Sequence, residues 1–186
     1  MKKKFTLDEM RGIWKRRLGI LEDDCGCIVT RHDGNSLQAL LDQTIRGWYG
    51  RLLRTCDPAL LPVEDLHAEA TVKEKGDNCL EVLPPPRGIR LLSVKLTDWS
   101  VPLGSVSSPD SDAARLQTNR FLGATPEYPV AVTDGFHYLL YGLREGRPSV
   151  PDPARRLESL VMVAAPDEAD IFELDESLLE TIPEDL

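Results

Sequence analysis

The chain has 186 residues, of which 41% are hydrophobic and 28% charged, and carries a net charge of −9. That is the composition of an ordinary globular protein, long enough to bury a core without metal or disulfide staples, and it excludes a fibrous or wholly disordered chain. Apolar runs extend only a few residues, far short of the roughly 20 that span a bilayer, so neither an integral membrane protein nor a membrane partner is expected.

Met1-Lys2-Lys3-Lys4 has the charge of a secretion signal, but Phe5 to Met10 is not an apolar core, so export is not expected. The four cysteines, Cys25, Cys27, Cys56 and Cys79, are then expected as reduced thiols. Lys2 to Lys4 reads as a frayed, solubilising end. Thr6-Leu7-Asp8-Glu9 has the form of a capping box and starts a helix. Leu7, Met10, Trp14, Leu18 and Leu21 recur at spacings of three and four along it, forming one apolar stripe.

Glu22 to Asn35 reads as a connector holding a short strand, Cys27 to Thr30, and turn residues His32 to Asn35. Asn35 or Ser36 caps the next helix, in which Leu37, Leu41, Ile45, Trp48 and Leu52 line one side until Asp57-Pro58 ends it near Cys56. Leu66, Ala68, Ala70 and Val72 alternate with polar residues, predicting a strand. Lys75 to Asn78 turns the chain into a second, Cys79 to Leu83. Pro84, Pro85 and Pro86 stop pairing because proline lacks the donor a ladder needs, and a third strand then runs from about Leu91 towards Trp99.

Val101 to Arg115 is rich in Ser, Pro, Gly and Asp, the composition of a long mobile loop. Arg115 to Leu122 is either a helical turn or extended. Pro129 to Thr133, Asp134-Gly135 and Phe136 to Tyr141 predict a hairpin, because Asp-Gly supplies the positive φ a tight turn needs. After a turn-rich connection from Gly142 to Pro153, Leu157 to Ala164 is a final strand. A short helix capped by Asp175 is expected over Asp175 to Thr181.

The order of elements predicts an α+β protein: a helical arm (1–57), a mainly antiparallel β domain, sheet or sandwich (58–166, with the loop at 101–115), and an acidic tail (167–186). Charge follows the same order. The first seventeen residues carry seven bases against two acids, and residues 167–186 carry nine acids and no base. Such polarity suits head-to-tail contact between copies, with solvated ends as the plainer reading.

Chemistry has few candidates. Cys25, Cys27 and His32 are of zinc-ligand type, but a structural site needs a fourth ligand from distant Cys56, His67 or Cys79, so no metal or other cofactor is expected. His67 and His137 sit in predicted strands whose alternation accounts for them. No nucleophile elbow, phosphate loop or paired-histidine zinc helix is present. Catalytic, cofactor-binding and metal residues are therefore all expected to be none. Sequence-specific nucleic-acid binding is not expected of an acidic chain, although an acidic surface suits a channel that DNA slides through.

One layout stands out. A helical arm ends in Leu60-Leu61-Pro62, a strand and turn lead into Leu80-Glu81-Val82-Leu83-Pro84, Ile89 to Val94 reaches Trp99, and Arg120-Phe121-Leu122-Gly123-Ala124-Thr125-Pro126 precedes the hairpin. Over about residues 35–165 this layout resembles the neck proteins of tailed bacteriophages, the head-to-tail connector or adaptor rings below the portal. The resemblance implies a homo-oligomeric ring contacting portal, tail or other neck proteins, without catalytic residues, located in the virion after assembly in the bacterial cytoplasm. Members of that family often close with a portal-docking helix, in place of which this chain has an acidic segment. The alternatives are a soluble cytoplasmic bacterial binding module using its β surface and a small metal-dependent enzyme.

Overall fold

A computed structural model describes residues 2–19, 37–76, 78–119, 122–143 and 152–183. The fold is α+β, with helices towards the N-terminus and mainly antiparallel sheets. It divides into two compact units: Met1–Val63 together with Ala164–Leu186, and Glu64–Val163.

In the first unit, β1 (Lys2–Thr6) leads into α1 (Leu7–Arg17), and the capping box forms. The Thr6 hydroxyl accepts from the Glu9 N–H at 3.3 Å and the Glu9 carboxylate accepts from the Thr6 N–H at 2.7 Å. These bonds, the Thr6 backbone N–H foremost, hold the Glu9 carboxyl below its usual range. α1 buries Leu7, Met10 and Trp14, and α2 (Leu37–Thr55) buries Leu41, Ile45, Trp48 and Leu52, as the spacing predicts. Trp14 meets Trp48 edge to face with centroids 5.8 Å apart. Arg11 reaches across to Asp42 with two parallel bonds of 2.6 and 2.7 Å, which keep that carboxyl ionised below the ordinary range. Asp57 ends the helical run by capping a 3-10 turn, Pro58–Leu60.

The remainder of this unit departs from expectation. Lys2 to Lys4 is not a frayed end but a strand, paired antiparallel with Ile171–Asp175 in the acidic segment. Phe172 and Leu174 alternate inward there, at 2% and 0% exposure, and Asp175 caps a 3-10 turn over Glu176–Thr181. The basic and acidic ends of the chain thus meet within one molecule, with Lys3 bonded to Glu176 at 2.6 Å and Lys4 3.6 Å from Glu173. Charge polarity has an intramolecular use, so it no longer argues for contact between copies.

The second unit holds two sheets. In chain order, β2 (Val63–Asp65), β3 (Thr71–Glu74), β4 (Cys79–Leu83), β5 (Gly88–Leu96), α3 (Asp112–Leu116), β6 (Val130–Thr133), β7 (Tyr138–Tyr141) and β8 (Leu157–Ala164) precede the acidic strand, β9 (Ile171–Asp175). Strands order as β3-β4-β7-β6 in one sheet and β2-β8-β5 in the other. The proline corner after β4 is where the chain changes sheets: β4 pairs with β3 and β7, whereas β5 lies beside β8.

The strand expected through Leu66 to Lys73 is interrupted. Asp65 accepts from the His67 N–H at 3.2 Å, and the N–H groups of Glu69 and Ala70 both bond the Leu66 carbonyl, closing a helical turn. A short polar residue able to bond its own backbone overrides the alternation, and only Thr71–Glu74 pairs. The segment expected to be a mobile loop is also corrected. Leu103 exchanges two bonds with Val94, at 2.9 and 2.8 Å, and Ser107 bonds both Ala131 and Thr133, so the excursion is pinned to both sheets before Ser111 caps α3.

Candidate functional site

The pinned excursion and the chain that follows it form the most distinctive surface of the second unit. Asn78, at the β3–β4 turn, holds it. Its side-chain carbonyl accepts from the N–H groups of Gly142 and Leu143 at 3.0 and 2.7 Å, and its amide donates to the Ala124 carbonyl at 3.1 Å. Gly142 runs at φ 110°, and a Cβ there would stand 2.7 Å from the Thr125 carbonyl oxygen, so only glycine fits. Gln117 donates to the Ala113 carbonyl at 2.7 Å and accepts from the Ala124 N–H at 2.8 Å. Thr125 and Tyr128 exchange backbone bonds of 3.2 and 3.0 Å, and the Ser100 N–H reaches the Pro126 carbonyl at 3.3 Å. Trp99, 3% exposed, packs beneath.

On this fixed backbone apolar side chains face solvent: Val101 at 55% exposure, Leu116 at 42%, Leu122 at 61% and Tyr128 at 80%. At the β6–β7 tip Phe136 is 76% exposed. Its turn is also fixed, because the Asp134 carboxylate accepts from the N–H groups of Phe136 and His137, both at 2.9 Å, while Gly135 supplies the positive φ. Those donors, His137 first, hold the Asp134 carboxyl down at about 2.

The sequence candidates for chemistry do not converge here. Cys25, Cys27 and His32 lie outside the described residues. Cys56 is partly buried in the first unit; Cys79 is buried at the start of β4, where burial pushes its thiol above the ordinary range and away from reactivity. His67 is in the turn after β2, not in a strand, with Nδ1 3.0 Å from Asp65, while His137 sits 3.4 Å from Asp134 in the hairpin turn. Each pair is a local turn whose carboxylate is already engaged by backbone donors, Leu160 and His67 for Asp65. Among the described residues, no group of three or more His, Cys, Asp or Glu is placed to hold a metal ion. An open groove of about 320 Å³ in the first unit is lined by Ile13, Arg16, Arg17, Leu179, Glu180 and Ile182. Its walls are too few and too open to enclose a small ligand.

Sequence reasoning missed Leu122 and Tyr128 as surface residues. Neither belongs to a periodic pattern, and their exposure follows from the Asn78 and Gln117 bonds, which link positions far apart or outside any strand. No helix among the described residues is long and apolar enough to cross a membrane. No protein-family model matches the chain, and no curated protein is similar to it in sequence.

Proposed function

We propose that the protein is a non-enzymatic structural subunit that assembles with copies of itself, and that its assembly is a head-to-tail connector or neck ring of a tailed phage or prophage particle. The observation that supports assembly is the set of exposed apolar side chains on a backbone already fixed by hydrogen bonds. Burying Leu122 and Tyr128 in a neighbour gains apolar contact at about 25 cal/mol per Å², with little further backbone ordering to oppose it. The assignment to a phage neck rests on the layout resemblance, with portal, tail or other neck proteins as partners.

The test is sedimentation over a wide concentration range, with and without the double substitution Leu122→Asp and Tyr128→Asp. Wild-type protein is expected as a discrete oligomer and the variant as a folded monomer. Wild-type protein that stays monomeric at high concentration and captures no purified portal or tail protein would overturn the reading.

A further inference from the structure

The β1–β9 ribbon has one closed edge and one open edge, and the register identifies which is which. Lys4 stands opposite Glu173, and both the N–H and the C=O of Glu173 bond the Tyr49 hydroxyl, at 3.2 and 3.1 Å. Glu173 therefore points its backbone away from β1, which makes Lys4 and Glu173 a non-hydrogen-bonded pair. Alternation along the ladder then places the backbone groups of Lys3 and Phe5 against β9, and those of Lys2, Lys4 and Thr6 on the outer side. The Thr6 N–H confirms the phase, since it turns outward to the Glu9 carboxylate. No described residue bonds the backbone N–H or C=O of Lys4.

We propose that this outer edge of β1 is a docking site for an extended partner segment in which acidic and apolar residues alternate, added as a third strand. Backbone groups at Lys2 and Lys4, two residues apart, are what an added strand pairs with. The Lys2 and Lys4 side chains share the face that carries Glu173 and Asp175 across the ribbon, and Lys4 is 70% exposed, so acids on the incoming strand would flank the two amines from the free side. The residue between them falls on the other face, opposite Lys3 and next to Phe5, where an apolar side chain would pack on the Lys3 alkyl stem and the Phe5 ring. Three consecutive lysines repel a second β1, so the edge resists self-pairing while admitting an acidic strand. Tyr49 closes the opposite edge at Glu173, which directs growth to β1. The inference uses the first unit alone and does not depend on the ring reading.

The probe is a fluorescent peptide with the sequence of residues 167–176, whose Glu-Leu-Asp core has the required alternation. Binding to the full chain is expected by anisotropy, weakening as salt rises. Lys4→Pro removes the outward N–H together with the Lys4 amine and leaves the β1–β9 bonds intact, whereas Lys4→Gln removes the amine alone; the proline variant is expected to bind about tenfold more weakly than the glutamine variant, with an unchanged circular dichroism spectrum. Strand exchange, with the peptide replacing β9, would leave Lys4→Pro binding no more weakly than Lys4→Gln, and that result overturns the proposal. A second readout covers a variant that fails to fold. In wild-type protein the Lys4 amide is expected to exchange quickly beside a slow Phe5 amide, and saturating peptide should slow Lys4 about tenfold. Absence of peptide binding, or no change at Lys4 under saturation, overturns it equally.

Discussion

At Gly142 the added methyl of Gly142→Ala would meet the Thr125 carbonyl at 2.7 Å on a backbone already at φ 110°. Strain and clash act together, and a loss of about 2 kcal/mol or more is expected in the unfolding free energy obtained from urea denaturation. Asn78→Ala removes one acceptor serving two N–H groups and one donor, and about 2 kcal/mol should be lost. Asn78→Asp keeps the acceptor and should recover part of that loss. Asp134 carries a pH signature. Its folded carboxyl is held at about 2, below the ordinary 3.8, so the stability it contributes is fully present above the ordinary value and drains as pH falls towards 2. The stability difference between wild type and Asp134→Ala should accordingly be largest near neutrality and shrink on acidification; a difference constant down to pH about 2 would refute the assignment.

Among the elements, Tyr49 ties α2 to the ribbon by donating to the Glu173 carbonyl and accepting from its N–H, while its ring meets Phe172 edge to face at 5.2 Å. Burial pushes the phenol up to about 12 from 10, so folding favours the neutral form. That contribution is in place below the ordinary value and is lost as pH rises through about 12. Tyr49→Phe should cost about 1 to 2 kcal/mol at neutral pH and show a flatter alkaline limb in thermal unfolding. α1, α2, the β6–β7 hairpin and β8 were all legible in the sequence, because each is defined by a local period: Leu41, Ile45, Trp48 and Leu52 in α2, or the turn at Asp134-Gly135. β1 was not legible, since Lys2 to Lys4 has no apolar alternation and its partner lies about 170 residues away. Phe172 and Leu174 did carry the two-residue period, but nine surrounding acids disguised it. Leu66 to Lys73 failed in the other direction, because the Asp65 carboxylate stabilises a turn that the alternating pattern cannot reveal. The candidate surface was not legible, since the composition of the loop after Trp99 reads as mobile and the bonds from Asn78 and Gln117 that order the surface join elements no local pattern connects.

For the whole molecule, the acidic segment decides between an electrostatic and a structural reading. Truncation after Pro166 would remove nine carboxylates and no base, taking the net charge from −9 to zero. Were the segment only a solvated tail, losing it would relieve self-repulsion and leave the helices at least as stable, with solubility the main loss. The structure predicts the reverse. Phe172, Leu174, Leu178 and Ile182 are all buried within the first unit, at 2%, 0%, 6% and 3% exposure. Burial of each such side chain is worth about 1.5 to 3 kcal/mol, and their combined loss is comparable to the whole stability of a typical domain. The truncated chain should therefore lose amide protection throughout α1 and α2, because the Trp14–Trp48 pair and the Tyr49 hydroxyl would no longer sit in a closed core. Protection in β4 and β7 should persist, since their partners all lie within Glu64–Val163. Hydrogen exchange read by mass spectrometry distinguishes the outcomes: helices that remain protected after truncation would return residues 167–186 to the role of a solvated tail, whereas selective loss in α1 and α2 establishes that the two chain ends build one core between them.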